Sequence, residues 1–120
     1  CIFDSLALRY RQVFEWLKEF APFKLDVLHI IGGGSLNKYL KQFTANSIGA
    51  TVLAGPQECT ALGNIMMQAK AAGIVSDIWQ MRRIIADSIE LVKYEPQDKA
   101  VWDKAYRKYQ KVTNYDELPF

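Results

Sequence analysis

The sequence predicts an α/β fold, rich in helix and short of strand. Three observations carry this prediction. Five segments repeat apolar residues at three-and-four spacing. Two short apolar runs, Val27–Ile31 and Thr51–Ala54, are rich in β-branched residues, and each stops at glycine before another helical segment. Half of the 120 residues are hydrophobic, enough for one packed core. Helix and strand alternating in this order ask for a short parallel strand pair joined by a right-handed crossover. Two strands are fewer than a normal sheet holds. The chain also starts at Cys1, without an initiator Met. Both features lead us to expect a piece of a larger α/β domain.

Ser5–Ala21 is the first predicted helix. Leu6, Tyr10, Val13, Phe14, Leu17 and Phe20 share its apolar face, Asp4 or Ser5 caps it, and Pro22 follows its end. Val27–Ile31 is an apolar run, broken only by His29 and rich in β-branched residues, which suits a buried parallel strand better than an edge strand. Ser35–Ile48 is the second helix, with Leu36, Tyr39, Leu40, Phe43 and Ser47 inward and Gly49 at its end. Thr51–Ala54 is the second strand, closed by Gly55-Pro56.

Thr60–Ala72 is the third helix. Ala61, Ile65, Met66, Ala69 and Ala72 lie on one side, and the small residues among them permit close packing on a sheet. Gly63 within it costs roughly 1 kcal/mol against Ala, so it needs a packing or ligand reason. Gly73 closes this helix, and Ser76-Asp77 opens a fourth that runs to about Ser88 with Ile78, Met81, Ile84 and Ile85 as its stripe. Glu90–Tyr94 reads as extended and Glu95-Pro96 ends it. Asp98–Lys111 is the fifth helix, with Val101, Trp102, Ala105, Tyr106 and Tyr109 apolar. The tail from Thr113 to Phe120 has no periodicity.

A net charge of +2 is too small to argue for nucleic acid. Cys1 and Cys59 form neither metal-ligand spacing nor a disulfide framework, so a reducing cytoplasm is the expected location. No apolar run reaches the length of a membrane span, and no signal peptide opens the sequence.

The stretch that draws attention is the apolar run into Gly32-Gly33-Gly34 and on into Ser35-Leu36-Asn37. A strand, a glycine turn and a helix start together make a cradle for phosphate or nucleotide: glycine admits close approach, and the helix start offers unpaired N–H groups. The dinucleotide fingerprint is incomplete, since Asn37 stands where its third glycine belongs and Ala54-Gly55 ends the next strand without an acidic residue. The Gly-Lys-Ser/Thr of a Walker loop is absent too. A ligand turn and a tight structural turn both remain open from the glycines alone. Asn37 favours a ligand, because in the first helical turn its amide would reach whatever the turn holds.

Other candidates read as structure. Glu58 suits a helix start on dipole grounds. His29 reads as a satisfied core residue on a buried strand, and Cys59 as a buried thiol. Lys99, Lys104, Arg107, Lys108 and Lys111 form the wet face of the last helix. No catalytic triad, carboxylate pair or metal cluster is legible, so no catalytic residue and no metal ligand is nominated.

Val27-Leu28-His29-Ile30-Ile31-Gly32-Gly33-Gly34-Ser35-Leu36-Asn37 resembles the adenosine motif of the FGGY carbohydrate kinases. Gly49–Pro56 and Glu58–Ile65 keep the family's order, and the resemblance runs from about Asp4 to Tyr109. Asn64 stands where most members carry a small residue. With Ile65, Gln68 and Ala54-Gly55-Pro56, it resembles the branch acting on L-rhamnulose.

The resemblance implies the C-terminal portion of a ribonuclease-H-like domain of the actin/hexokinase ATPase type, residues 1–120 forming the end of the nucleotide-binding domain. It implies transfer of the ATP γ-phosphate, with Mg²⁺, to the 1-hydroxyl of L-rhamnulose in rhamnose breakdown. It places Gly33, with Gly32 and Gly34, against ribose and phosphates, and Asn37 near adenine. The catalytic Asp, the sugar-binding residues and the metal ligands would lie upstream, and Asp4 does not match that Asp. The chain alone is then expected to be inactive, and its unpaired strands to make it self-associate. L-Fuculose and L-xylulose are the alternative sugars. A non-catalytic interaction fragment of the same fold is the alternative function, and a Rossmann-like NAD protein is disfavoured by the incomplete fingerprint.

Overall fold

A mixed three-stranded sheet organises residues 1–113, the part of the chain described by the computed structural model. Residues 114–120, most of the aperiodic tail, lie outside the described residues. The strands are β1 (Val27–Ile30), β2 (Thr51–Ala54) and β3 (Val92–Tyr94), in that spatial order. β1 and β2 run parallel, from Val27 opposite Thr51 to Ile30 opposite Ala54. β3 lies antiparallel to β2, with Val52 opposite Tyr94 and Ala54 opposite Val92. The parallel pair is therefore present, but β3 completes it to a mixed sheet.

Among the described residues there are five α-helices: α1 (Ile2–Phe20), α2 (Lys38–Ile48), α3 (Cys59–Ala71), α4 (Ile78–Ser88) and α5 (Lys99–Thr113). A short 3-10 turn, Gly32–Leu36, separates β1 from α2. The second helix thus begins later than the expected Ser35, because the glycines close a tighter turn first.

The core forms where α1 and α2 meet the sheet. Phe14, Ala45, Ile48 and Val52 are buried together, and Leu25, Leu28, Ile30, Ala50 and Tyr94 pack around them. Burying a side chain such as Phe14 or Val52 contributes roughly 1.5–3 kcal/mol. On α2 the inward stripe is Lys41, Thr44, Ala45 and Ile48, with Leu40 and Ser47 beside it. Leu36 and Tyr39, expected inward, are exposed because the chain has not yet entered the helix at Leu36 and Tyr39 falls on its outer side.

Of the apolar stripe predicted for α1, only Phe14 is buried. Ala7, Leu8, Gln12 and Phe14 are inside, whereas Leu6, Tyr10, Val13, Leu17 and Phe20 are exposed. The buried face meets α2 and α5, and part of its contact with α5 is polar. Arg11 pairs with Asp103 at 2.8 Å and lies over the Tyr106 ring at 4.3 Å. The Tyr109 hydroxyl donates to Gln12 Oε1 at 3.2 Å, and Arg9 donates to the same oxygen at 2.6 Å. Polar atoms thus occupy a seam that apolar periodicity does not report.

Among the described residues β1 is an edge strand, not the buried strand expected, and Val27 and His29 are exposed. His29 is accordingly not a core histidine. Among the described residues β2 is central, so only one of the two strands expected to lack partners has a free edge. α3 contributes no buried residue and does not pack on the sheet as its small residues suggested; Ile65 is exposed. α4 buries Met81 and leaves Ile78 exposed, and α5 buries Tyr106 and leaves Val101 exposed. Trp102 packs on Phe43 with ring centres 5.4 Å apart. Lys99, Lys104, Arg107, Lys108 and Lys111 are exposed, as their periodicity predicts.

Candidate functional site

The glycine turn sits at the C-terminal end of the parallel pair, where open α/β sheets present ligands. Gly55 N–H donates to Ile30 O at 2.9 Å and Gly32 N–H donates to Pro56 O at 3.0 Å, so the turns after β1 and β2 are stitched together. Gly32 takes a φ of +71°, a conformation that side chains disfavour. Its glycine is demanded by the backbone.

Gly33 is different. Its φ is not left-handed, it is exposed, and a Cβ built on it would meet nothing within 4 Å. Neither backbone conformation nor packing within the described residues requires glycine there. The Gly33 amide also lies in the first turn of the 3-10 segment, where no earlier carbonyl of the turn is in register to accept it. Gly34 is exposed beside it.

Ser35 closes the turn. Its side chain is buried and its hydroxyl donates to Gly32 O at 2.7 Å. Asn37 then caps α2: Oδ1 accepts the amides of Tyr39 and Leu40, both at 3.0 Å. Asn37 is therefore at the helix cap and not in the first helical turn. The cap occupies its carbonyl oxygen, and Nδ2 takes no part in it.

A groove of about 450 Å³ runs beside the turn, lined by Ser35, Lys41, Pro56, Glu58, Leu62 and Glu90 among others. Glu58 stands at the cap position of α3 but its side chain makes no capping bond, so the capping role expected for it is not made. Cys59 is half-buried. A larger groove of about 640 Å³ opens at the opposite end of the strands, between Phe23–Asp26 and Gly49–Thr51, away from the turn. Among the described residues no three or more His, Cys, Asp or Glu side chains converge, so none of them forms a metal site. None of the described helices is long and apolar enough to cross a membrane.

Residue reasoning missed Lys41. It is 6% exposed and donates from Nζ to Ser35 O at 2.7 Å, which links α2 to the turn. Lys41 falls three and four residues before Thr44 and Ala45, on the face that the structure buries and not on the apolar stripe of Leu36, Tyr39 and Phe43.

Residues 1–72 match the C-terminal domain of the FGGY family of carbohydrate kinases. The chain belongs to this family. Among FGGY relatives it is 57% identical over 106 residues to a rhamnulokinase of Bacteroides thetaiotaomicron, covering 88% of this chain and 22% of that protein. It is 40% identical over 119 residues to a rhamnulokinase of Pectobacterium carotovorum, covering 99% of this chain and 24% of that protein. The chain thus spans under a quarter of the length of these relatives. A solved structure of a ligand-bound xylulose kinase from Lactobacillus acidophilus superposes with a TM-score of 0.65 at 17% identity, covering 88% of this chain and 22% of that one. That likeness places the chain in a sugar-kinase fold of the FGGY type and bears on fold alone.

Proposed function

We propose that the protein containing this chain is an ATP-dependent kinase that phosphorylates L-rhamnulose at its 1-hydroxyl. Residues 1–120 are the C-terminal part of its nucleotide-binding domain. Gly33, flanked by Gly32 and Gly34, approaches the ribose and phosphates of ATP, and Asn37 Nδ2 faces the adenine. The observation that carries the nucleotide reading is Gly33, a glycine that the described part of the chain does not itself need. The sugar is supported by the names of the two rhamnulokinases, 57% and 40% identical to this chain.

Phosphoryl transfer depends on positioning and charge stabilisation. In this reading the turn supplies positioning. The base that accepts the hydroxyl proton, the sugar contacts and the ligands of Mg²⁺ lie elsewhere in the whole protein, which works in the cytoplasm. An assay of the intact protein with ATP and a panel of L-rhamnulose, L-fuculose and L-xylulose tests this. The expected result is a kcat/KM for L-rhamnulose at least about tenfold above the others, a discrimination that one or two site contacts can provide. ATP turnover with none of these ketoses, or preference for another, overturns it.

The 120-residue chain by itself is inactive in this reading, and it self-associates. Support for association comes from the free β1 edge and from an apolar groove of about 530 Å³ between α1 and β1, lined by Tyr10, Val13, Leu17, Leu28 and Ile31. Open edges next to apolar surface recruit further strands.

A further inference from the structure

Lys41 is a buried ammonium that the nucleotide reading does not yet use. Among the described residues it has no carboxylate partner: its acceptor is the Ser35 carbonyl at 2.7 Å, and its Nζ lies 4.9 Å from the centre of the Tyr94 ring. Burying a charge without a counter-charge is costly, and an apolar side chain of the same length would fill the space without that cost. What an apolar chain lacks is a donor for Ser35 O. That carbonyl sits in the second half of a five-residue 3-10 turn, where carbonyls run out of partners within the turn. Ser35 in turn donates through Oγ to Gly32 O at 2.7 Å. One residue therefore separates the ammonium from the glycines, and the Tyr94 face of β3 supports the ammonium from the sheet.

We propose that Lys41 is a positioning residue of the nucleotide site: through Ser35 its ammonium holds the Gly32–Leu36 turn in the shape that presents the Gly33 amide. The proposal rests on the nucleotide reading above. It is distinct from the cap made by Asn37, which orders the start of α2 and not the turn before it.

The test uses the intact protein with Lys41→Met, Lys41→Gln and Lys41→Arg. Hydrogen–deuterium exchange is followed over residues 32–37 without nucleotide, and KM is measured separately for ATP and for sugar. A hydrogen bond from a charged donor is worth about tenfold or more in a local opening equilibrium. Met is expected to speed exchange in the turn by about tenfold and to raise KM for ATP by a similar factor; Gln, whose neutral amide can donate but ends one bond short of the ammonium, moves both the same way by a smaller factor. KM for sugar and kcat stay within about twofold, and Arg restores both readouts. Gln serves where Met compromises folding. Unchanged exchange overturns the proposal, as does an ATP KM that stays put or rises together with the sugar KM. If the unsubstituted protein binds no ATP, the nucleotide reading fails, the positioning role fails with it, and exchange alone then shows whether Lys41 still orders the turn.

Discussion

Gly32 N–H donates to the Pro56 carbonyl across 3.0 Å, joining the turn after β1 to the turn after β2. This bond fixes where the triple glycine stands relative to the groove. It also separates the duties of neighbouring glycines. Gly32 holds a left-handed backbone, and Gly33 holds an open surface.

Alanine at the two positions should therefore fail differently. Gly32→Ala forces a Cβ into a conformation that costs roughly 1–2 kcal/mol. Its nearest contact, Gln57 O at 4.0 Å, is ordinary, so the loss is strain and not collision. Gly33→Ala should leave stability within about 1 kcal/mol, since it restricts only the unfolded chain, while raising KM for ATP more than about tenfold as close approach is blocked. Thermal unfolding and ATP kinetics on the intact protein check both. A Gly33→Ala variant with normal ATP affinity contradicts the assignment.

Asn37 has one oxygen in the cap and one amino group to spare. Asn37→Ser keeps an oxygen that caps well and removes the donor; Asn37→Ala removes both, at about 1 kcal/mol for the cap. We expect the serine variant to melt like the parent but bind ADP several-fold more weakly, and the alanine variant to lose on both counts. Calorimetric titration with ADP and a melting curve separate the two. Equal ADP affinity in the serine variant removes Asn37 from the site.

Acid should loosen the α1–α5 seam. Hydrogen bonding from Lys99, and then from Arg11, holds the Asp103 carboxyl below the usual carboxylate range. The amides of Gln80 and Trp79 with the Ser76 hydroxyl do the same for Asp77, and Lys93 with Thr51 for Glu95. In each case the unfolded chain binds the proton more readily. The stability they contribute is full above the unfolded value, about 4, and is lost as pH falls through the lower folded values. Asp103→Asn should therefore flatten the fall in melting temperature between about pH 6 and pH 3. An undiminished slope in that variant rejects Asp103 as a contributor.

The exposed stripe of α1 predicts how the isolated chain behaves. Leu17 is 50% exposed beside the β1 groove. Leu17→Glu places a charge where apolar contact would form and should shift the 120-residue chain toward monomer in sedimentation velocity. Association that persists unchanged places the contact elsewhere.

Much of this was legible from residues alone. Helix periodicity located five helices to within a few residues, and the β-branched runs located β1 and β2, because local spacing and backbone preference set those features. The triple glycine announced its turn for the same reason. Resemblance in that stretch named the family that the match over residues 1–72 shows.

What local pattern cannot carry is the identity of a neighbour. Periodicity says that α1 has an apolar face and puts Phe14 on it; only the packed chain shows Ala7 and Gln12 turned inward and Leu17 outward. The run Val27–Ile30 looks buried by composition, yet burial depends on a second strand beyond it, and among the described residues β1 has only β2. Asn37 and Lys41 are the sharpest cases. Whether Asn37 caps or contacts depends on where the 3-10 turn ends, and Lys41 becomes buried only when the Ser35 carbonyl and the Tyr94 ring arrive from elsewhere in the chain. Residue order by itself determined the elements, their sequence along the chain and the glycine bend. Tertiary structure decided which faces are covered and which polar atoms meet, because those depend on contacts between residues far apart along the chain.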